Sequence, residues 1–284
     1  MTHKLTADCR QAFLSPAFFL SVTGTALILF LSSFDRIIPA FRTIQTGSFL
    51  EYGFHGNLVL SALSSDTAFM IFPIAAALPF TASYVDDMKS GFIKMYLPRM
   101  GCLQYIGSKL LACALSGGSV FLLGGLLCCG ISSLCFLPLE AAPETGMEYS
   151  SCLLQLFRQS GLYFCSGAFW SLTGLTFSAV TGSRYMAYAS PFIFYYVLII
   201  LCERYFPSLY ILHPEEWISP SGNWPLGKWS AALWLLELSG LCSLAFLIIA
   251  KKDWRNYKEM DGIIKNYDFL MEVTACLKNT LVRP

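Results

Sequence analysis

Few residues in this sequence are placed where acid–base, metal or nucleophilic chemistry could be assembled. Its three histidines, His3, His55 and His213, lie in separate segments, so a metal site would require distant residues to meet. His213 with the nearby Glu215 and Glu216 could bind a cation, although a solvated loop explains the same residues. The sequence contains neither HExxH nor GxxxxGK[ST], the local motifs for zinc proteases and for nucleotide phosphates. We therefore expect no catalytic residue, no metal site and no cofactor bound by this chain.

Glu237 is the one acidic residue well inside an uncharged run, between Lys228 and Lys251. A carboxylate inside a bilayer is costly and is a functional hypothesis by default. It could contact a polar substrate along a pathway through the membrane. Alternatively, it makes a structural hydrogen bond or stays protonated.

The composition is that of a membrane protein. Hydrophobic residues make up 55% of the 284 residues and charged residues 13%, about half the charged share of soluble domains. The mean hydropathy is +0.57. A net charge of +1 gives no basic footprint for nucleic acid. Most of the 11 cysteines fall inside apolar runs, where cysteine acts as a small hydrophobic residue rather than as part of a disulfide framework.

Long uncharged runs between charged residues predict about six membrane-spanning helices. The runs lie between Arg10 and Asp35, Asp66 and Asp86, Lys109 and Glu140, Arg158 and Arg184, Arg184 and Glu203, and Lys228 and Lys251. They lack the alternation of a β-barrel wall, so we expect an all-α integral membrane protein. Residues 1–250 would form the transmembrane domain, and residues 251–284 a cytoplasmic tail with apolar residues at helical spacing.

Lysine and arginine in the short connections indicate the orientation. With the N-terminus inside, eleven such residues are cytoplasmic (Lys4, Arg10, Lys89, Lys94, Arg99, Lys109, Arg184, Lys251, Lys252, Arg255, Lys258) and five external (Arg36, Arg42, Arg158, Arg204, Lys228). This bias predicts both termini in the cytoplasm. The long segment 35–65 would then lie at or dip into the outer interface.

The predicted inner loop, residues 86–108, is the most informative stretch. Two acids open it, a short helix-compatible stretch follows, and a proline ends that stretch; the residues are Asp86, Asp87, Gly91, Phe92, Ile93, Tyr96, Leu97, Pro98 and Arg99. Exposed aromatic and aliphatic residues on such a helix would be covered by a groove on a partner. On physical grounds alone, adsorption of the loop to anionic lipid through its basic residues is an equal alternative.

The fourth run carries small residues along one face, at Gly167, Ser171, Gly174 and Ser178. Such a face lets a neighbouring helix approach closely. It favours packing within the chain over a seam between two chains. In the second run, Pro73 and Pro79 predict a kink.

The inner loop resembles that of permease subunits of ATP-binding-cassette transporters of the type-2, exporter-like class. The resemblance rests on the acid at Asp86 or Asp87, on Gly91, on the Leu97-Pro98 break before Arg99, and on Tyr105 and Lys109. This family more often has glutamate followed by a basic residue, and a serine between the proline and the arginine. The likeness in span number and orientation covers residues 1–250, and the motif covers 84–109.

The resemblance implies that the loop is a coupling helix seated on a separate cytoplasmic ATP-binding subunit, which would carry ATP and Mg²⁺. It also implies a second permease chain, identical or related, and a multi-pass location in the inner (cytoplasmic) membrane. The expected cargo is an exported peptide, a drug-like amphiphile or a lipid-linked molecule. A non-transporting membrane anchor or sensor subunit that recruits a cytoplasmic partner is the alternative function, and an intramembrane enzyme is a weaker one.

Overall fold

The computed structural model describes the backbone of residues 2–93, 101–141, 150–206, 209–220, 224 and 228–281. Within those ranges it leaves the side chains of residues 2, 3, 150–158, 210, 228 and 260–281 undescribed. The ten α-helices among the described residues are α1 (Thr2–Phe13), α2 (Pro16–Ser32), α3 (Phe34–Gln45), α4 (Phe54–Leu63), α5 (Asp66–Ala77), α6 (Ser83–Lys89), α7 (Cys102–Phe136), α8 (Ser150–Thr181), α9 (Arg184–Ile200) and α10 (Lys228–Leu281). The described residues contain no strand beyond one isolated bridge between Leu50 and Glu140.

Three described helices are long and apolar enough to cross a membrane, and up to five if each of two bent helix pairs counts as one span. The three are Cys102–Leu139, Arg184–Tyr205 and Trp229–Glu259. The pairs are α1 with α2, bent by 48°, and α4 with α5, bent by 67°. The chain is therefore an α-helical multi-pass membrane protein.

The predicted second span is not one continuous helix. Helix α5 ends at Ala77, so its 12 residues reach only about 18 Å against roughly 30 Å of hydrocarbon. Pro79 follows this end, where proline cannot donate a backbone hydrogen bond. The hydroxyl of Thr81 donates to the Ala77 carbonyl (2.5 Å), and Ser178 of α8 donates to the Thr81 carbonyl (3.3 Å). Side-chain hydroxyls thus satisfy carbonyl groups at the break.

Helix α8 occupies the centre of the bundle and packs against α7, α10, α9 and α5. It is not among the helices that are apolar enough to span by composition, because its faces carry serine, threonine and glycine. Buried hydroxyls on α8 donate to carbonyl groups one turn earlier, as Thr173 does to Phe169 (2.9 Å). A helix surrounded by protein tolerates such residues, since lipid does not contact most of its surface.

Helix α10 continues through the predicted boundary at residue 250 without a break and ends at Leu281. Its 54 residues are about 80 Å long. The backbone is thus helical along the predicted tail, whose side chains beyond Glu259 lie outside the described residues.

Two ends of the bundle are distinguished by their buried clusters. At one end, which we call the Asp87 end, α6 and the first turns of α7 meet α1 and residues 246–257 of α10. At the opposite end, which we call the Glu140 end, α3 and α4 pack around Phe136 at the end of α7. Because α1 and the extension of α10 both lie at the Asp87 end, the two terminal helices share one side of the bundle.

Candidate functional site

Residues Ser83–Ile93, which we call the α6 segment, form a short helix followed by a tight turn. The Ser90 amide donates to the Asp86 carbonyl (2.9 Å) and ends the helix. Gly91 then takes a left-handed backbone conformation with φ of 69°, which costs other residues free energy because of their Cβ. The turn directs the chain back toward the bundle, and Ile93 is buried there.

Asp87 connects the α6 segment to α7 through two charge-assisted contacts. The Lys109 Nζ atom lies 2.9 Å from Asp87 Oδ2, and the Tyr105 hydroxyl donates to the same oxygen at 2.7 Å. The Lys109 side chain is only 1% exposed. The sequence placed Lys109 at the start of the third uncharged run, whereas in the structure it lies two turns inside α7, where its side chain is buried.

Two further charges complete this buried cluster. Asp8 of α1 lies 3.8 Å from Lys109 and 3.3 Å from Lys4, so the group holds two positive and two negative charges. The Lys109 ammonium group also lies 4.9 Å from the centre of the Phe80 ring, within the range of a cation–π contact. Burying an unpaired charge is strongly unfavourable, so these four groups depend on one another.

The α6 segment also contacts α9 and α10. Asp86 forms an ion pair with Arg184 at the start of α9. The Tyr84 hydroxyl donates to Asp253 (3.1 Å), and the Tyr257 hydroxyl donates to the Met88 carbonyl (3.1 Å). Burial and the adjacent Asp253 carboxylate raise the pKa of Tyr84, so its hydroxyl keeps the proton that it donates. The segment is thus attached to α7, α9 and α10, and through Asp8 to α1.

The structure separates the apolar residues that the sequence assigned to partner docking. Phe92 is 41% exposed, whereas Ile93 is 1% exposed and packs in the buried cluster of the Asp87 end. The prediction that Ile93 is presented to a partner is therefore wrong in this conformation, because the turn at Gly91 points the chain inward. Tyr96, Leu97, Pro98 and Arg99 lie outside the described residues.

The small residues of α8 face other helices of this chain. A Cβ atom added to Gly167 would lie 2.6 Å from the Gly117 carbonyl oxygen of α7, and one added to Gly174 would lie 2.5 Å from the Ala187 carbonyl oxygen of α9. Ser171 donates to the Cys113 carbonyl at 3.1 Å. Ser178 donates to the Thr81 carbonyl. These four residues therefore pack against helices of the same chain, which is the alternative that the sequence favoured over a seam between two chains.

Glu237 does not point into the bundle. It is exposed on the outer face of α10 and borders a shallow cleft of about 430 Å³ with Trp224 and Trp234. A role in a substrate pathway would therefore need a partner to close this face. Sequence position alone could not decide which face of the helix carries the carboxylate.

The loop acids that suggested a cation site line a cleft of about 520 Å³ at the start of α5. His213, Glu215 and Glu216 are joined there by Asp66 and Glu203. Burial and the neighbouring carboxylates raise the pKa of Glu215, against the opposite effect of His213. Among the described residues, no group of three or more histidine, cysteine, aspartate or glutamate side chains is arranged to hold a metal ion.

Sequence reasoning missed Glu140, which organises the Glu140 end. Its carboxylate accepts hydrogen bonds from the backbone amides of Gly53 (3.0 Å) and His55 (2.7 Å) at the start of α4, and it lies 2.7 Å from His55 Nδ1. A carboxylate at a helix N-terminus interacts favourably with the free amides and the helix dipole. The two partners are 85 residues apart in the sequence, so no local pattern could have paired them.

No family profile, no curated protein and no solved structure matches this chain.

Proposed function

We propose that this chain is the membrane permease subunit of an ATP-driven transporter of the type-2, exporter-like class, coupled to a separate ATP-binding subunit. The observation that carries the proposal is the attachment of the α6 segment to the helices around it. Asp87 bonds to Lys109 and Tyr105 of α7, and Asp86 pairs with Arg184 of α9.

A coupling element must pass a displacement on to the spans rather than absorb it. Buried ion pairs resist separation because each partner would be left as an uncompensated charge. The Lys109–Asp87 pair is largely buried, so a push on the α6 segment would move α7 with it, in the manner of rigid-body switching. The Asp86–Arg184 pair is exposed and adds only a weaker link to α9. The chain has no nucleotide-phosphate motif of its own, so the energy source is assigned to the partner, with ATP and Mg²⁺ bound there.

The proposal includes a topology of about six spans. These are α2, the bent pair of α4 and α5, α7, α8, α9 and the first part of α10. The excess of lysine and arginine at the Asp87 end assigns that end to the cytoplasm of the cell membrane. The expected cargo class is an exported peptide, a drug-like amphiphile or a lipid-linked molecule.

A second permease chain is part of the proposal, and α10 offers a surface for it. Only 11% of the apolar window of Trp229–Glu259 is buried within this chain. Glu237 lies on this exposed surface beside Leu233 and Leu236. Contact between its carboxylate and the lipid hydrocarbon would be energetically unfavourable. A second copy or a related chain against this face would remove Glu237 from lipid.

Docking of the ATP-binding subunit is tested by changing Phe92, which is exposed at the Asp87 end. The chain is co-expressed with each P-loop protein that a neighbouring gene encodes, and the complex is purified through a tag on this chain. We expect Phe92→Asp to reduce the recovered ATPase at least about tenfold, because a charge in an apolar contact is strongly unfavourable. Phe49→Asp, an equally drastic change at an exposed residue of the opposite end, is the control and should retain the ATPase.

Recovery of an undiminished amount of ATPase with Phe92→Asp would contradict the coupling role. The anchor alternative predicts the same loss of docking, so a second measurement separates the two. A transporter should show ATPase activity in liposomes that rises severalfold with a transported compound, whereas an anchor subunit should show no such stimulation.

A further inference from the structure

A cleft at the Asp87 end lies between the start of α7 and the middle of α10. Its volume is about 690 Å³. One wall is apolar and the other is cationic; the lining residues are Leu247, Ile248 and Trp254, the basic residues Lys251, Lys252, Arg255 and Lys258, and Gly101 with Cys102. The cleft thus presents an apolar surface directly beside a concentrated positive charge.

Among the side chains that the structure describes, no acid pairs with the basic residues of the cleft. All four basic side chains are exposed. Lys251, Arg255 and Lys258 follow one another at four and three residues, which places them on one face of α10. Asp253 lies between them in the sequence but accepts a hydrogen bond from Tyr84 of the α6 segment. Like charges at this spacing repel each other, and an anion between them would relieve the repulsion.

The start of α7 adds to the attraction for an anion. The N-cap residue is Gly101, which has no side chain to cap the first turn. The first amides of a helix point out of its N-terminal end and carry partial positive charge. Gly101 and Cys102 at this helix start line the same cleft as the basic residues of α10.

The apolar wall decides which kind of anion fits. Ile248 is 68% exposed at the end of the uncharged part of α10, and Leu241 and Leu244 continue this exposed surface toward the centre of the span. Trp254 is buried at the floor of the cleft, with its ring centre 5.6 Å from that of Tyr105. Tryptophan at this depth is typical of the membrane–water interface. A small inorganic anion would use the charges but leave this wall uncovered.

We propose that this cleft binds an anionic phospholipid, with the phosphate between the basic residues and one acyl chain along Ile248 and Leu244. The lipid site lies next to the contacts that hold the α6 segment, because Asp253 and Tyr257 lie on the same turns of α10 as the basic residues. Bound lipid would therefore fix this part of α10 against the membrane surface. The inference requires only that the chain is a membrane protein and is independent of the proposed transport function.

Native mass spectrometry of the purified full chain in detergent tests the proposal. The chain is titrated separately with dioleoylphosphatidylglycerol and with dioleoylphosphatidylcholine, which differ in headgroup charge. A basic residue near the headgroup contributes about fivefold to the affinity for an anionic lipid. We therefore expect the wild-type chain to prefer phosphatidylglycerol at least about tenfold, and the triple variant Lys251→Gln, Arg255→Gln, Lys258→Gln to show a preference below about twofold.

The matched control removes three other exposed basic residues, as Arg10→Gln, Arg36→Gln, Arg42→Gln, and should keep the wild-type preference. Retention of the preference by the α10 triple variant, or an equal loss in the control, would overturn the proposal. Displacement of phosphatidylglycerol by inorganic phosphate at equal concentration would also overturn it, in favour of a free-anion site. If the triple variant does not fold, Ile248→Glu serves in its place and should lower phosphatidylglycerol retention by repelling the headgroup.

Discussion

At the residue scale, the chain buries a cluster of charged side chains between helices at the Asp87 end. Lys109 and Asp8 are each about 1% exposed, and both take part in ion pairs at the Asp87 end. Hydrophobic residues would fill this volume at lower cost. The four charges lie on α1, α7 and the α6 segment. Their pairing favours one arrangement of these three elements over others.

Replacement of Lys109 tests this dependence. Lys109→Met leaves Asp87 and Asp8 without their shared cation, and we expect a loss of about 3–5 kcal/mol in the free energy of unfolding. Thermal unfolding in detergent micelles measures the effect as a lower transition temperature. Adding Asp87→Asn to Lys109→Met should recover part of the loss, because the carboxylate left unpaired at Asp87 is then removed while Asp8 keeps Lys4 as its partner.

The matched control is Lys89→Met on the α6 segment, where the lysine is exposed. It should change the free energy of unfolding by less than about 0.5 kcal/mol. Equal effects of the two substitutions would mean that the cluster is not a structural unit.

At the element scale, α8 shows why small polar residues belong in the middle of this bundle. Its glycines and serines let the backbones of α7 and α9 each approach the backbone of α8, and Gly167 and Gly117 lie too close to leave room for a methyl group. Where lipid tails offer no hydrophobic drive between helices, close van der Waals contact and interhelical hydrogen bonds stabilise the pair. The same residues lower the hydropathy of α8, so composition alone underrates a helix at the centre of the bundle.

Glycine-to-alanine substitutions on α7 test this packing. A Cβ at Gly117 would lie 2.4 Å from the Ser171 Cβ, whereas one at Gly130 of the same helix meets nothing within 4 Å. We expect Gly117→Ala to destabilise the chain by about 1–3 kcal/mol through overpacking. Gly130→Ala should be neutral or stabilising by up to about 1 kcal/mol, since alanine favours the helix. Both values come from thermal unfolding in micelles, and a neutral Gly117→Ala would refute the close contact.

At the scale of the whole molecule, the two terminal helices and the α6 segment meet at one end of the bundle. The Asp87 end holds α1, α6 and the extension of α10, joined by ion pairs and by hydrogen bonds from Tyr84 and Tyr257. The Glu140 end is closed by α3 and by α4, whose start is capped by Glu140. Because charges gather at both ends and apolar side chains between them, the molecule has the layered distribution that a bilayer requires.

Reporter fusions test which end faces the cytoplasm. Green fluorescent protein fused after Pro284 should be fluorescent, and alkaline phosphatase at the same position should be inactive, since the positive-inside rule puts the Asp87 end in the cytoplasm. Alkaline phosphatase inserted between Gly47 and Ser48, in the connection after α3, should be active as the matched control. The reverse pattern would place the α6 segment outside the cell and end the proposal of a cytoplasmic ATPase partner.

The sequence by itself determined that this protein lies in a membrane and where most of its helices lie along the chain. Uncharged runs and their flanking charges marked α2, α7, α8, α9 and α10, because crossing a bilayer restricts composition over about 20 consecutive residues. The missing backbone N–H of proline predicted a kink at Pro73 and Pro79; α5 continues through Pro73 and ends at Ala77, two residues before Pro79. These features depend on residues that are near each other in the chain.

Only the tertiary structure decided which charges meet and which faces are covered. The pairing of Asp87 with Lys109, the capping of α4 by Glu140 and the inward turn of Ile93 depend on contacts between distant segments. The outward position of Glu237 likewise follows from how α10 packs. A single sequence carries no record of such contacts, since ion pairs and packing act between residues that the fold, rather than the chain order, brings together.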